Sequence, residues 1–314
     1  MKKLSNKILI ITFLLLAAVF VLSRRFHAPG KESNLRVDLI KLDTARITEV
    51  HILPSSHHEE EIKLFRDGPR WKVSKGKEEA ATDGGLVNTM LGMLYSVQPQ
   101  RRVSHKKEKW EDFNVGEKGT HISVYENSTK RADFMVGKTG FTQTPGGGFG
   151  GGFTYFRLTD EDEVYVVEGF FESGFNRAYN DWRNKALIRV TKEDIAKIEF
   201  RYPLDTGFVA EKKDSLWYVL PLGVDASSMQ NYLNRISTQN MDVFVDEFVP
   251  PGPADVTVKI EGKQRVLERV EGWKRDKNWV LTSSLQKGVY FTSSEVTVRN
   301  LLIGKKKLLS GDRK

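Results

Sequence analysis

The 314-residue sequence contains no cysteine. Without thiols the chain has no disulfide, no thiolate zinc site and no cysteine nucleophile, and it cannot carry the lipidated cysteine of a bacterial lipoprotein. No Gly-Lys-Ser/Thr follows the glycine-rich run at residues 146–152, as a phosphate-binding loop would require, and the Gly-x-Ser-x-Gly elbow of a serine hydrolase is absent. The sequence therefore shows no recognisable catalytic motif, and the missing thiols suit an oxidising compartment.

Acidic residues are absent from residues 1–31, and only Asp312 is acidic within residues 305–314. The basic residues at these two ends account for more than the whole net charge of +8, so residues 32–304 are close to neutral. A nucleic-acid-binding protein would carry a basic stripe on its folded surface. We therefore expect no nucleic-acid partner.

One long apolar run, Ile8 to Leu22, lies between Lys7 and Arg24. A helix of this length spans about 22 Å, against a hydrocarbon core of about 30 Å, and the flanking residues can extend it. The run predicts a transmembrane signal anchor over residues 1–26, followed by a polar tether over residues 27–36. The alternative is a signal peptide cleaved after Ser23, which the two arginines that follow disfavour. We expect a single-pass protein of the bacterial inner membrane with most of the chain in the periplasm.

The rest of the sequence repeats itself. Leu39 to Ile52 matches Leu187 to Phe200 at a constant offset, and a predicted hairpin follows each segment, with Trp71 and Trp217 at equal places. Apolar residues at helical spacing then follow Asp83 in one copy and Asp225 in the other. This common order predicts two tandem copies of one unit.

We therefore predict an α+β fold, in which each copy consists of an antiparallel sheet that packs a helix on one face. The predicted boundaries are residues 37–183 for the first repeat, 184–304 for the second, and 305–314 for a basic tail. Each copy is expected to end in a helix, near 169–179 and 293–303. Trp71 and Trp217 are expected to anchor the hairpins onto the helices, and Trp182 and Arg183 to hold the junction between the copies.

A run of six glycines over residues 146–152 is the most unusual segment, and it includes Phe149 before it closes on Phe153. It is not a dinucleotide-binding fingerprint, because a strand rather than a helix is predicted to follow it, from Thr154 to Leu158. One interpretation is a flexible loop in which Phe149 and Phe153, with Gly147 and Gly150 beside them, bind a partner or a membrane surface. A flexible hairpin connection without such a role is the alternative.

Two clusters could carry chemistry. Residues 57–61 read His-His-Glu-Glu-Glu, and imidazole and carboxylate groups could hold a divalent metal ion. Residues 160–163 are all acidic and could supply a catalytic carboxylate pair. Both clusters fall between predicted strands, so solvated loops are the favoured interpretation. We expect no metal, no cofactor and no catalytic residue.

Several tracts of the chain form a recognisable set. They are the terminal anchor, residues 70–73, the helix after Asp83, and residues 103–115, 136–138, 154–158, 163–167 and 181–185. Together these tracts resemble the domain of unknown function 4340 family of bacterial membrane-anchored proteins. The resemblance extends over about residues 35–250. It implies an accessory extracytoplasmic subunit, because genes of this family often lie beside an ABC exporter of the type linked to gliding motility.

The sequence and this resemblance together favour a non-enzymatic, membrane-anchored subunit of the envelope. Its expected partners are the membrane and either the permease or a large extracytoplasmic subunit of an ABC transporter. Two alternatives remain: an envelope hydrolase that acts on glycan or peptide, and a polysaccharide- or lipid-binding module that uses aromatic platforms such as Trp110 or Trp273.

Overall fold

The computed structural model describes residues 13, 15–17, 35–55, 60–143, 147–203 and 206–310. It has an α+β fold, built mainly from antiparallel strands with a few helices. Within these ranges no helix combines the length and apolar character needed to cross a bilayer. Most of the predicted anchor and tether, residues 1–36, lies outside the described residues.

The chain divides into two compact units. The first comprises Met1–Glu79 and Gly85–Tyr179, and the second comprises Ala80–Gly84 and Asn180–Lys314. The division near Tyr179 lies close to the predicted boundary after Arg183. The short segment Ala80–Gly84 belongs to the second unit, where the Asn184 amide donates to the Ala81 carbonyl at 2.8 Å.

The described residues between 35 and 182 form eleven strands and three α-helices. The strands are β1 (Ile40–Lys41), β2 (Glu49–Leu53), β3 (Ile62–Asp67), β4 (Arg70–Lys75), β5 (Glu78–Ala81), β6 (Ser96–Val97), β7 (Pro99–Ser104), β8 (Thr120–Glu126), β9 (Thr129–Gln143), β10 (Phe149–Leu158) and β11 (Val164–Glu168). The helices are α1 (Gly84–Leu94), α2 (Phe171–Phe175) and α3 (Tyr179–Trp182), and two 3-10 turns, Lys107–Lys109 and Glu111–Phe113, join β7 to β8.

The second half repeats this inventory of strands. They are β12 (Ala186–Arg189), β13 (Lys197–Arg201), β14 (Phe208–Lys213), β15 (Leu216–Val219), β16 (Leu222–Gly223), β17 (Thr238–Asn240), β18 (Val243–Phe244), β19 (Val256–Glu261), β20 (Val266–Arg275), β21 (Asn278–Ser283) and β22 (Phe291–Ser294). The helices are α4 (Ala226–Ile236), α5 (Glu295–Leu301) and α6 (Lys305–Ser310), with a 3-10 turn at Lys192–Asp194.

Both halves have the same strand order. The first nine-stranded sheet runs β5-β4-β3-β2-β8-β9-β10-β11-β7 and the second runs β16-β15-β14-β13-β19-β20-β21-β22-β18. The two-stranded sheets β1-β6 and β12-β17 correspond in the same way. Trp71 on β4 and Trp217 on β15 occupy equivalent strands and are both buried.

Local sequence patterns account for these elements. On β2, Val50 and Ile52 alternate with more exposed neighbours, so one face of the strand enters the core. The turn between β3 and β4 follows the Asp67–Arg70 prediction, and Gly68 supplies its left-handed φ of 62°. Helix α4 buries Met229, Tyr232, Leu233 and Ile236, and the Asp225 carboxylate caps it by accepting from the Ser228 amide at 2.8 Å.

The ends of the two units differ from the sequence prediction. The helix predicted near residues 169–179 is two short helices, α2 and α3, because Asn176 leaves the helical conformation at the end of α2. The segment predicted as a basic tail contains α6, and Leu308 of this helix is buried in the second core. Leu309 packs against the same core, and the Asp225 amide donates to the Leu308 carbonyl at 3.1 Å, so the lysine-rich segment docks beside the start of α4.

Candidate partner-binding hairpin

The hairpin of β9 and β10 continues past Thr120, the residue at which the neighbouring strand β8 begins. Strand β9 pairs with β8 as far as Val136 and then continues alongside β10, where Gly140 lies opposite Phe153. In the second unit the register places Gly272 and Leu281 where Val136 and Phe156 lie, and residues 273–280 join them by a tight turn. Residues 137–155, here called the hairpin extension, are thus much longer than their counterpart.

One face of the extension carries two exposed rings. Phe141 is 54% exposed and Phe170, just before α2, is 46% exposed, and their ring centroids are 5.8 Å apart. The Phe170 ring lies against the backbone of Gly152, where a Cβ would be 2.3 Å from it. Glycine at position 152 therefore leaves room for the ring against the strand backbone. We call this pair of rings the Phe141/Phe170 patch.

The opposite face carries a second row of rings. Phe153 covers Gly140 in the same manner, since a Cβ on Gly140 would be 2.4 Å from its ring. Its ring centroid lies 5.6 Å from that of Tyr155, which in turn lies 4.7 Å from that of Phe113. The Lys138 ammonium is 5.9 Å from the Tyr155 ring centroid. This row is half-buried and joins the extension to the connection between β7 and β8.

Polar contacts fix the extension to the body of the unit. The Thr139 amide donates to a Glu172 carboxylate oxygen at 2.8 Å. The buried Thr154 hydroxyl donates to the Gly169 carbonyl at 2.7 Å and accepts from the Phe171 amide at 3.1 Å. These bonds tie both strands to the segment that enters α2, so the position of the Phe141/Phe170 patch is set by the fold.

The predicted partner-binding residues fall on this hairpin, but the prediction of a loop was wrong from Phe149 onward, and Gly146 lies outside the described residues. Strand β10 begins at Phe149, whose backbone pairs with Gln143, and includes Gly150 and Phe153. A Cβ on Gly150 would lie 2.3 Å from the Thr142 hydroxyl oxygen, so close packing explains this glycine. Gly147 has a left-handed φ of 84°, as expected near a turn. Only the backbone of Phe149 is described.

Sequence reasoning missed Phe141 and Phe170 as candidate residues. Phe141 precedes the glycine run, and Phe170 follows a strand that the sequence gave no reason to place beside it. Their only sequence signal is an aromatic next to a glycine, Gly140-Phe141 and Gly169-Phe170, on both sides of a glycine-rich segment. The pairing of β9, β10 and β11 brings them together.

The residues expected to be structural are buried. Trp217 belongs to the second core with Met229 and Tyr232 of α4, and Trp71 lies beneath the Arg66 guanidinium at 5.1 Å. Trp182 is fully buried.

Arg183 makes a two-pronged ion pair with Asp246 at 2.7 and 2.9 Å, and its guanidinium stacks on the Phe244 ring at 3.7 Å. Within the second unit it therefore joins the segment after α3 to the chain around β18.

Two clusters were considered as possible sites for chemistry: residues 57–61 as metal ligands and residues 160–163 as catalytic acids. His57 and His58 lie outside the described residues, and the part of the chain that is described holds no group of three metal-ligating side chains. Residues 160–163 form the connection between β10 and β11, as predicted. There Glu161 pairs with Arg36 at 2.5 Å and accepts from the Tyr165 hydroxyl at 3.4 Å.

A polar network around Asp133 on the first sheet was not predicted. Asp133 accepts hydrogen bonds from Lys130 at 2.7 Å and Ser123 at 3.0 Å, and lies 2.5 Å from His121. Burial alone would raise the pKa of Asp133, but these hydrogen bonds outweigh it and lower the pKa below its ordinary value. Because the aspartate lies between the serine and the histidine, the order differs from a catalytic triad, in which the histidine is central.

Comparison with known proteins gives one match. The family model of the domain of unknown function DUF4340 matches residues 71–264, more than half of the chain. No curated protein and no solved structure matches the chain. The matched range extends from β4 in the first sheet to β19 in the second and includes the hairpin extension. The chain therefore belongs to the DUF4340 family.

Proposed function

We propose that this protein is a non-enzymatic subunit of the bacterial envelope, anchored in the inner membrane, that binds a membrane-bound partner through the hairpin extension. The partner is the permease or a large extracytoplasmic subunit of an ABC transporter, as the family resemblance implies. The run from Ile8 to Leu22, flanked by basic residues, supports the anchor. The two units of common strand order support an origin by tandem duplication.

The observation that carries the proposal is the Phe141/Phe170 patch on an extension that the second unit lacks. Two neighbouring phenylalanines remain about half exposed, although full burial of such a side chain is worth about 1.5–3 kcal/mol and each could gain about half of that. Exposed aromatic rings at a fixed position are typical anchors of protein interfaces. The equivalent point of the second unit is a polar turn at Asp276 and Lys277.

The composition of the extension supports an interface with another protein. Lys138 is the single charged residue of positions 137–155, although 29% of the whole chain is charged. Interface cores are depleted of charged residues and enriched in aromatic ones. The glycines at 140 and 152 let the rings pack on the strand backbone, which fixes their orientation before binding.

The test is co-purification from membranes in a mild detergent. Phe141→Ala combined with Phe170→Ala removes the patch. Each ring is already about half buried, so the two together can contribute about 1.5–3 kcal/mol on binding, and we expect the partner affinity to fall at least about tenfold. Phe149→Ala combined with Phe153→Ala should weaken the same interaction. Mass spectrometry of the wild-type complex should identify an ABC transporter component.

A matched control is available on the second sheet. Leu216 and Leu222 are 58% and 52% exposed, and their double change to alanine removes comparable exposed apolar surface. This control should leave the partner bound and the melting temperature nearly unchanged. Equal retention of the partner by the phenylalanine variant and the leucine control would contradict the proposal.

A further inference from the structure

A cavity of about 500 Å³ lies on the outer face of the second nine-stranded sheet. Residues alternate between the two faces of a strand, and Val270 of β20 belongs to the core that α4 covers. Its neighbours Arg269 and Glu271, together with Trp273, therefore point to the opposite face, where they line the cavity. Thr282 of β21 and Tyr290, before β22, complete the wall.

The first unit provides an internal comparison for this place in the fold. The pairings of β8 with β9 and of β19 with β20 align Met135 with Glu271, and the next strand aligns Arg157 with Thr282. In the first unit this place is filled. The Arg157 guanidinium lies 3.7 Å from the centroid of the Trp110 ring and is buried, and Met135 packs beside it.

A single position explains why one place is filled and the other is open. Gly137 follows Val136 as Trp273 follows Gly272, so the two residues are equivalent. A Cβ on Gly137 would be 2.1 Å from the Phe113 carbonyl oxygen, so the chain between β7 and β8 rests directly on the sheet. In the second unit the Trp273 indole occupies this position and donates to the Gly252 carbonyl at 3.0 Å, which holds the connection off the sheet.

The lining of the cavity combines apolar rings with paired and unpaired polar groups. The centroids of the Trp273 and Tyr290 rings are 6.2 Å apart, and Phe248 contacts both rings. Arg269 donates to one Glu271 carboxylate oxygen from two nitrogens, at 2.7 and 2.9 Å. Over the described ranges of the chain, no hydrogen bond or ion pair engages the Lys287 ammonium or the Tyr290 hydroxyl.

We propose that this cavity binds a saccharide unit. Its volume lies in the range of about 300–1,000 Å³ that is usual for small-ligand sites, and it offers few polar groups against an aromatic wall. A sugar ring presents apolar C–H groups to an aromatic side chain and hydroxyl groups around its edge. Tyr290 provides the ring contact, while Arg269, Glu271 and Lys287 provide donors and acceptors for the hydroxyls.

Saturation-transfer NMR on the full chain tests this, in a detergent without a sugar headgroup. The probes are glucose, galactose, mannose, rhamnose, N-acetylglucosamine and glucuronic acid, with inorganic phosphate as a separate sample. At least one saccharide should receive saturation from the wild-type protein. Tyr290→Ala and Lys287→Ala should each weaken its binding by about tenfold, since each removes a direct contact.

Thr282→Arg places the residue of the first unit in the cavity and should abolish binding by filling it. Because this change could also disturb the sheet, the two truncations above provide the decisive result. Tyr95→Ala, at a position 62% exposed in the first unit, is the matched control and should bind like wild type. The proposal is overturned if no probe sugar receives saturation, if phosphate alone binds, or if Tyr290→Ala binds the sugar as tightly as wild type.

Discussion

Replacing Gly137 by alanine tests how the first unit closes its outer face. The added Cβ would lie 2.1 Å from the Phe113 carbonyl oxygen and 2.8 Å from a Val115 methyl carbon, whereas ordinary contact begins near 3.4 Å. The nearest obstacle is backbone, so the connection between β7 and β8 must move by more than 1 Å. Overpacking of this kind costs about 1–3 kcal/mol, and we expect the upper end of that range.

The movement also strains the contacts that hold this connection down. Arg157 donates from Nε to the Val115 carbonyl at 3.0 Å, and the Trp110 indole donates to the Asp162 carbonyl at 3.1 Å. Both bonds lengthen if the connection lifts off the sheet. Gly137→Ala should therefore raise the exposure of the Trp110 ring as well as destabilise the unit.

Hydrogen exchange in increasing urea, read by mass spectrometry, separates the two units. Peptides from β8 and β9 should lose protection at a lower urea concentration in Gly137→Ala, while peptides from β19 and β20 should be unchanged. Gly92→Ala on α1 is the control. No atom lies within 4 Å of its added Cβ, so alanine should stabilise the helix by about 0.5–1 kcal/mol. Unchanged protection of β8 and β9 in Gly137→Ala would refute the reasoning.

Two further outcomes are expected. The pKa of Asp133 is lowered in the folded state, so its ionised carboxylate stabilises the fold above about pH 4, and this contribution is lost as the pH falls through the folded-state pKa. Asp133→Asn should therefore be less stable than wild type at neutral pH. The difference between their urea midpoints should shrink towards about pH 3. A midpoint difference independent of pH would contradict this assignment. Alkaline carbonate should leave the full chain in the membrane pellet with its amino terminus near Met1, because the apolar run from Ile8 to Leu22 anchors it. Recovery of a soluble form that begins at Arg24 would instead show cleavage.

The hairpin extension shows where sequence reasoning ended. Six glycines in seven positions indicated flexibility, since glycine loses the most conformational entropy on ordering. In the structure an aromatic ring packs against the backbone of Gly152, which belongs to this run, and another packs against Gly140, which precedes it. Each ring occupies the space that a Cβ would take. This cannot be read from composition, because the covering ring of Phe170 comes from beyond the next strand.

The polar residues of the sheets show the same limit. Ser123 and Asp133 face each other across β8 and β9, ten positions apart in the chain, and their contact depends on the register of that hairpin. A shift by one residue would turn them to opposite faces. The sequence showed both residues and gave no reason to connect them.

By itself the sequence determined the α+β class, the repeat of strands and helices, and the core-facing residues of α1 and α4. Those properties follow from the period of apolar residues, which is two along β2 and close to four along α4, and from local signals such as the Asp225 cap. The tertiary structure alone decided which faces are closed and which are open. Gly137 and Trp273 have the same place in the strand order, yet one lets a distant connection rest on the sheet and the other holds it away, because the outcome depends on contacts between segments far apart in the chain.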